Sequence, residues 1–437
     1  MEKTILEDSD RTIHQDYTNV NENNKLALEQ SMEELRSYLD LFGPYEASST
    51  EHNINNQSIS FRPKNLPKKT PREEEYHRQL VALNRRQYVE SMKLKQDKEK
   101  KFKMKQEAKK QKENELLYTW NHNILPNWYN IKHTKSFNNY FYLGLPNSIR
   151  GKIWILCLGN AFSITLDYYN IEVRKAIDIY IQSNENYESN LSLSQDNNNN
   201  NNNVNLYNII TVNKEKSIRV IDLDIERTFP YLGIFKSSSP LSEDLREILR
   251  AFVASRPDIG YVQGLSFIGG ILLLHMNKFK AYIAMMNLIL NPIILPFYTF
   301  DEKAIKTRLQ LFKQVFYYNL PELCERFENL EVLPEHYFIE WNMTLFTKSV
   351  NIDIATRIWD VYMVEGIKAI YSAGIVFLSH FEERFMHMEF EEILKELKTI
   401  NMINFDDDMV INAMRKVKYP DWVEVEIEKM NEEGIPI

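Results

Sequence analysis

From Ala304 onward, apolar residues recur three and four positions apart in segment after segment, and no stretch shows the alternation of a half-buried strand. The segments are Ala304 to Tyr317, Pro321 to Phe327, His336 to Leu345, Ala355 to Glu365, Ala369 to Arg384 and Glu391 to Ile400, with polar turns between them and a terminal helix over Glu424 to Glu433. A helix buries one stripe at this period, so the pattern restricts this part of the chain to an all-α domain of many packed helices. The 12 glycines in 437 residues point the same way, because a glycine-punctuated α/β or all-β architecture would need more.

The same period runs upstream. Leu245, Ile248, Leu249, Phe252 and Val253 keep helical spacing after Ser242, which reads as an N-cap followed by Glu243 and Asp244; Pro257 and Gly260 end that helix. A second, nearly all-apolar helix is expected from about Val262 to His275, where Gly264, Ser266, Gly269 and Gly270 thin the profile so that neighbours can approach. The most apolar stretch, Ile283 to Phe300, carries Asn287, Asn291, Pro292 and Pro296, which favours a buried helix and turn over a membrane span. Tyr118, Trp120 and Trp128 open the compact region. Pro146 then starts a helix with Ile149, Ile153 and Leu156 on one face, and Arg150 and Trp154 share the neighbouring stripe, where packing in support of the site is their expected role.

Residues 1–70 are rich in Asn, Ser, Glu and Asp, and are expected to be mostly disordered apart from a short helix from Lys25 to Leu41. Residues 71–117 read as a basic helical arm, with Glu73, Glu74 and Glu75 after Pro71 and a brief stripe of Leu80, Leu83 and Tyr88. Between Arg62 and Lys112 there are 18 Lys and Arg against 7 Asp and Glu, so a net charge of −8 is a basic segment on an acidic body. Such a segment suits anionic lipid headgroups or an acidic partner surface, or it is simply a solvated helix. Aromatics for base stacking are nearly absent from it, so nucleic acid is not expected as a partner. An asparagine run makes residues 185–206 a low-complexity loop inserted between helices, and 401–437 reads as a C-terminal helical extension. Cys157 and Cys324 lie in apolar surroundings without ligand-like spacing, so neither a disulfide framework nor a zinc site is expected. The polar, acidic start lacks the features of a secretory signal, and the chain is expected to be soluble.

Two short stretches stand out as chemistry. In Ile221 to Pro230, the proline is expected to hold Phe229 in extended backbone and to put Arg227 in a strand-like or loop segment rather than inside a helix. In Tyr261 to Gly264, Gln263 is an odd choice for core filling at the edge of an apolar run. Asp222, Asp224 and Glu226 alternate with Leu223 and Ile225, and in an extended segment they would project to one side as a metal site does. No histidine pair or second acidic cluster at ligand spacing accompanies them. His380 and Glu383, one turn apart, read as a surface contact. No phosphate-binding glycine loop and no nucleophile elbow is present, so the chain is not expected to bind or hydrolyse nucleotide itself.

Three motifs resemble the TBC domain, the GTPase-activating module for Rab-type small GTPases: Gly144-Leu-Pro-x-x-x-Arg150-Gly-x-x-Trp154, Ile221-x-x-Asp224-x-x-Arg227-Thr228 and Tyr261-x-Gln263-Gly264. Trp341 with Leu345 and Phe346, and Arg357 to Asp360 followed by Glu365 and Gly366, are similar to the family's later blocks. The resemblance covers about Trp120 to Leu397 and narrows, through the lysine-rich lead-in to Trp120-Asn-x-x-Ile124-Leu-Pro-Asn-Trp128, to a subfamily associated with endosomal traffic and autophagy. It implies an arginine finger at Arg227 and a water-orienting amide at Gln263. By the same resemblance Asp224 and Thr228 support the arginine, and Tyr261 and Gly264 shape the glutamine loop. GTP and Mg²⁺ would be held by the partner GTPase, with no cofactor of the chain's own. A Rab-family partner and a cytoplasmic location peripheral to endomembranes follow as expectations, and a catalytically silent Rab-binding scaffold is the alternative.

Overall fold

The computed structural model describes residues 70–132, 134, 136–193, 220–236, 239–398, 400 and 406–434, and every regular element among them is helical. The disordered stretch expected over 1–70 lies outside the described residues except for Thr70. The chain divides into two units, Met1–Leu94 and Lys95–Ile437.

In the first unit the described residues form the opening of α1 (Pro71–Thr119). Pro71 occupies the first turn, where a missing N–H leaves nothing unpaired. Glu75 accepts from Gln79 at 3.1 Å and lies 3.5 Å from Arg78, its neighbours one turn on. Leu83 and Tyr88 are exposed instead of forming a buried stripe; the side chain of Leu80 lies outside the described residues.

The second unit begins with the lysine-rich part of α1, where pairs such as Lys103 with Glu99 at 3.3 Å lie along a solvated surface. Near its end Lys112 reaches Asp408 at 3.3 Å and Glu113 accepts the Asn147 N–H at 3.3 Å. A π-turn over Trp120–Ile124 follows, then α2 (Trp128–Ile131), α3 (Phe137–Leu143), α4 (Asn147–Leu158) and α5 (Leu166–Leu193). The aromatics that open this region pack edge to face, Trp120 on Phe141 at 5.5 Å and Trp128 on Phe137 at 5.3 Å. Because α5 continues to Leu193, the first part of the 185–206 insertion is helical rather than loop; 194–206 lie outside the described residues.

Helix α6, whose described part is residues 220–227, is followed by α7 (Pro240–Ser255), α8 (Leu265–Leu273), α9 (Lys278–Ile289), α10 (Leu295–Thr299), α11 (Glu302–Asn319) and α12 (Pro321–Asn329). Helix α7 starts earlier than its sequence suggests. Pro240 takes the first turn after Ser239, and Ser242 is buried inside the helix rather than capping it. Gly269 and Gly270 let α8 lie close to its neighbours: a Cβ would meet Leu245 Cδ1 at 2.8 Å from the first, and Phe229 and Thr228 at 3.0 Å from the second. In the stretch from Ile283 to Phe300, α9 and α10 are joined by a turn, and no helix among the described residues is long and apolar enough to cross a membrane.

The remaining helices are α13 (Phe338–Thr344), α14 (Ile352–Glu365), α15 (Ile367–His380), α16 (Glu382–Phe385), α17 (Phe390–Lys398), α18 (Asp407–Met414) and α19 (Asp421–Gly434). The single helix expected over Ala369 to Arg384 is broken at Phe381, whose ring is buried. Phe312 of α11 stacks on Phe338 at 3.6 Å, and Tyr371 of α15 lies 5.7 Å from each. The C-terminal helices belong to the same packing: Val410, Ile411, Val423 and Ile427 are buried, and Asn431 donates to the Glu365 carbonyl at 3.0 Å. Both cysteines are buried and free, and burial pushes the Cys324 thiol up to about 11.

Candidate functional site

Ile221 and Ile225, four apart and both fully buried, drive α6 onto the core. Arg227 is therefore the last residue of a helix, not part of a strand-like segment. Pro230 restricts only its immediate predecessor, so it cannot unwind residues three positions earlier. The Thr228 hydroxyl donates to the Asp224 carbonyl at 2.8 Å and closes the final turn. Phe229 then leaves the helix with φ +46°, left-handed rather than extended. For a bulky side chain this costs about 1–3 kcal/mol. Its buried ring offsets the cost by packing edge to face on Phe267 at 5.4 Å and against Phe235 at 6.2 Å.

Gln263 sits in the turn that leads into α8, and its side chain is exposed. Gly264 takes φ +106° there, a conformation that suits glycine, and a Cβ would lie 3.2 Å from Thr344 Cγ2. The helix expected from Val262 thus begins only at Leu265, leaving the glutamine on the preceding turn.

The two segments are tied together. Tyr261 donates its hydroxyl to Asp224 Oδ2 at 2.9 Å, and Asp224 is only 5% exposed. Burial first, and the Asp224 carboxylate second, push the Tyr261 phenol well above its ordinary range, so it stays a donor. Arg227 Nη1 lies 4.0 Å from Asp224 Oδ1, while its side chain is 69% exposed. A contact that long and that solvated holds the guanidinium weakly. Arg227 and Gln263 are thus exposed polar groups at the ends of two elements joined by a part-buried hydrogen bond. The first is a permanent cation with a planar fork of donors, and the second offers an amide donor and acceptor.

The three carboxylates of α6 do not converge. A helix fans them out, so Asp222 faces α7, Asp224 faces Tyr261 and Glu226 is exposed. Among the described residues no group of three potential ligands could hold a metal ion.

Arg150 and Trp154 lie in a different cluster. Arg150 Nε donates to Asp360 Oδ1 at 3.0 Å and Trp154 Nε1 to the same oxygen at 2.9 Å; Arg150 also donates to Asn147 Oδ1 and the Leu145 carbonyl. Asp360 is fully buried and accepts the Leu145 N–H at 3.2 Å as well. Gly144 lets Arg357 pass, since a Cβ there would be 2.0 Å from Arg357 Nη1. The first motif and the Arg357 to Asp360 block therefore form one buried polar knot with a packing role. His380 is exposed and sits edge to face on Phe381 at 5.0 Å.

Sequence reasoning missed Asp222's partners. Arg246 Nε donates to Asp222 at 2.7 Å and Arg250 Nη2 at 3.0 Å. Two arginines one turn apart on the flank of α7's apolar stripe are all that the sequence shows of it, and alone they name no partner.

The family model of the Rab-GTPase-TBC domain matches residues 147–386. The chain belongs to the Rab-GTPase-TBC domain family. The matched span holds all three motifs except Gly144 to Pro146, and it leaves the basic arm outside. Among relatives, TBC1 domain family member 12 of Xenopus tropicalis is 34% identical over 349 residues, 77% of this chain and 47% of that protein. TBC1 domain family member 14 of Homo sapiens is 34% identical over 340 residues, 75% of this chain and 46% of that protein. The chain spans about half the length of these relatives. The crystal structure of the Chlamydomonas flagellar RabGAP TBC domain aligns with a TM-score of 0.49 at 16% identity, covering 70% of this chain and 94% of that one.

Proposed function

We propose that this TBC protein is a GTPase-activating protein for a Rab-family small GTPase, and that Arg227 and Gln263 act in trans on GTP and Mg²⁺ held by the partner. The observation that carries the reading is the Asp224–Tyr261 hydrogen bond, which couples the exposed arginine to the loop bearing the exposed glutamine. As GTP is hydrolysed, negative charge spreads over the γ-phosphoryl oxygens and the leaving oxygen. An arginine inserted there is worth about 10³–10⁵ in rate. A side-chain amide held beside it orients the attacking water. This chemistry asks nothing of the activator beyond placement, which agrees with a site of two solvent-facing groups on buried supports.

A hydrolysis screen over GTP-loaded Rabs tests the reading. One Rab should be strongly stimulated by the wild-type protein and not by Arg227→Ala. Tight binding of a Rab without acceleration would instead make the protein a silent scaffold.

The basic segment, residues 62–112, extends the proposal to the site of action: the peripheral, cytoplasmic face of an endomembrane rich in anionic lipid, in vesicle traffic of the endosomal and autophagic kind. In support, the lysines of residues 93–104 and 106–112 are exposed.

A further inference from the structure

The described part of α6, residues 220–227, makes about two turns, a length that gives a helix little stability of its own in water. Its orientation must come from what grips it. Among the described residues Ile221 and Ile225 form its apolar seam, and two aliphatic side chains by themselves leave a helix able to roll. At about 100° per residue, Asp222 and Asp224 stand about 80° to either side of that seam, and Arg227 points away from the core on the Asp224 side. The two carboxylates are held by different elements, Asp224 by the tyrosine before α8 and Asp222 by α7.

The Asp222 side is built as a fork. Arg246 donates to it through Nε at 2.7 Å, and Arg250 through Nη2 at 3.0 and 3.2 Å to the two oxygens. Arg246 is also paired with Glu243, and the Arg250 guanidinium lies 4.1 Å over the Tyr180 ring of α5. The arginine side chains are only 19% and 16% exposed, so these charge-assisted bonds are partly shielded from solvent. They rise from a helix whose Leu245, Ile248, Leu249 and Phe252 are fully buried, so the fork is rigid.

We propose that Asp222, gripped by Arg246 and Arg250, is a positioning residue that fixes the roll of α6 and so the direction in which Arg227 is presented. The inference rests on the reading of Arg227 as the catalytic arginine. Asp222 itself touches no reacting atom. It acts because a group inserted into a partner's site must arrive within a fraction of an ångström of its place.

Two measurements on the full chain test it: amide hydrogen exchange of residues 220–230 by mass spectrometry, and single-turnover hydrolysis on a stimulated GTP-loaded Rab. Asp222→Ala should speed exchange in that segment and lower kcat by about 10- to 100-fold, the cost of a misplacement near 1 Å, with KM for the Rab within about twofold. Asp222→Glu should recover most of the rate. Adding Arg246→Gln and Arg250→Gln to Asp222→Ala should lower the rate far less than the product of the separate losses, since the three side chains share the interaction that sets the roll. Should Asp222→Ala fail to fold, Arg250→Gln carries the same two readouts. Unchanged exchange overturns the grip whether or not the protein stimulates a Rab. Faster exchange with an undiminished kcat overturns the positioning role. A wild-type protein that stimulates no Rab removes the reading of Arg227 instead, a failure that the exchange result keeps distinct.

Discussion

Tyr261→Phe removes one hydroxyl and tests whether the link between the arginine helix and the glutamine loop is structural. The phenol donates at 2.9 Å to a carboxylate that is 5% exposed. A hydrogen bond to a charged acceptor contributes about 1.5–3 kcal/mol, and losing the donor leaves Asp224 Oδ2 buried without it. Arg227 Nη1 at 4.0 Å from the other oxygen is too distant to replace it. The ring itself stays, so packing changes little. The expected loss is about 2 kcal/mol, read as a lower midpoint in guanidinium unfolding at an unchanged slope. A loss below about 0.5 kcal/mol, the range of an ordinary surface substitution, would refute the reasoning and detach the two segments energetically. With the link cut, stimulated hydrolysis should fall as well, because Arg227 and Gln263 lose their shared reference.

Asp360→Asn should cost about 3–5 kcal/mol in the same unfolding assay, because it leaves the buried Arg150 guanidinium without a counter-charge. Burial, and then the charge of Arg150, bring His275 down to about 3, so the folded protein keeps this ring neutral. The unfolded chain binds a proton below about pH 6.5 that the folded one refuses until about 3; stability is therefore lost as pH falls through that window, by up to about 1.4 kcal/mol per unit. His275→Gln should flatten that part of the stability–pH curve. Full-length protein should sediment with liposomes containing anionic lipid at low salt and be released at high salt, as exposed charges are screened; salt-independent sedimentation would rule out an electrostatic role for the arm.

The helical class and most helix boundaries after Ala304 were legible because each helix buries a single stripe of regular period. The break at Phe381 was not, since apolar residues continue across it and only the backbone turns. Pro230 misled for a related reason. It restricts Phe229, but the buried pair Ile221 and Ile225 had already set a helix, and Phe229 escaped it through a left-handed conformation that ring packing sustains. Arg227 and Gln263 stand out in the sequence as polar residues beside apolar runs, and the roles proposed for them come from the resemblance of their two motifs to the TBC domain. The Asp222 fork does not stand out, because Arg246 and Arg250 are separated from it by a loop and read locally as an ordinary solvated flank. The partners that join Asp360 to Arg150 and Trp154 are more than 200 residues apart in sequence. No local pattern encodes such a pairing.

The central claim is that Arg227 and Gln263 serve one phosphate together, and a double-mutant cycle on stimulated hydrolysis tests it most directly. With a responsive GTP-loaded Rab, phosphate release is followed in single turnover for wild type, Arg227→Ala, Gln263→Ala and the double variant. Arg227→Ala should lose about 10³-fold or more. The double variant should fall far less than the product of the two single losses, as groups acting as a unit do. Independent, multiplicative losses, or full activity in either single variant, would contradict the account.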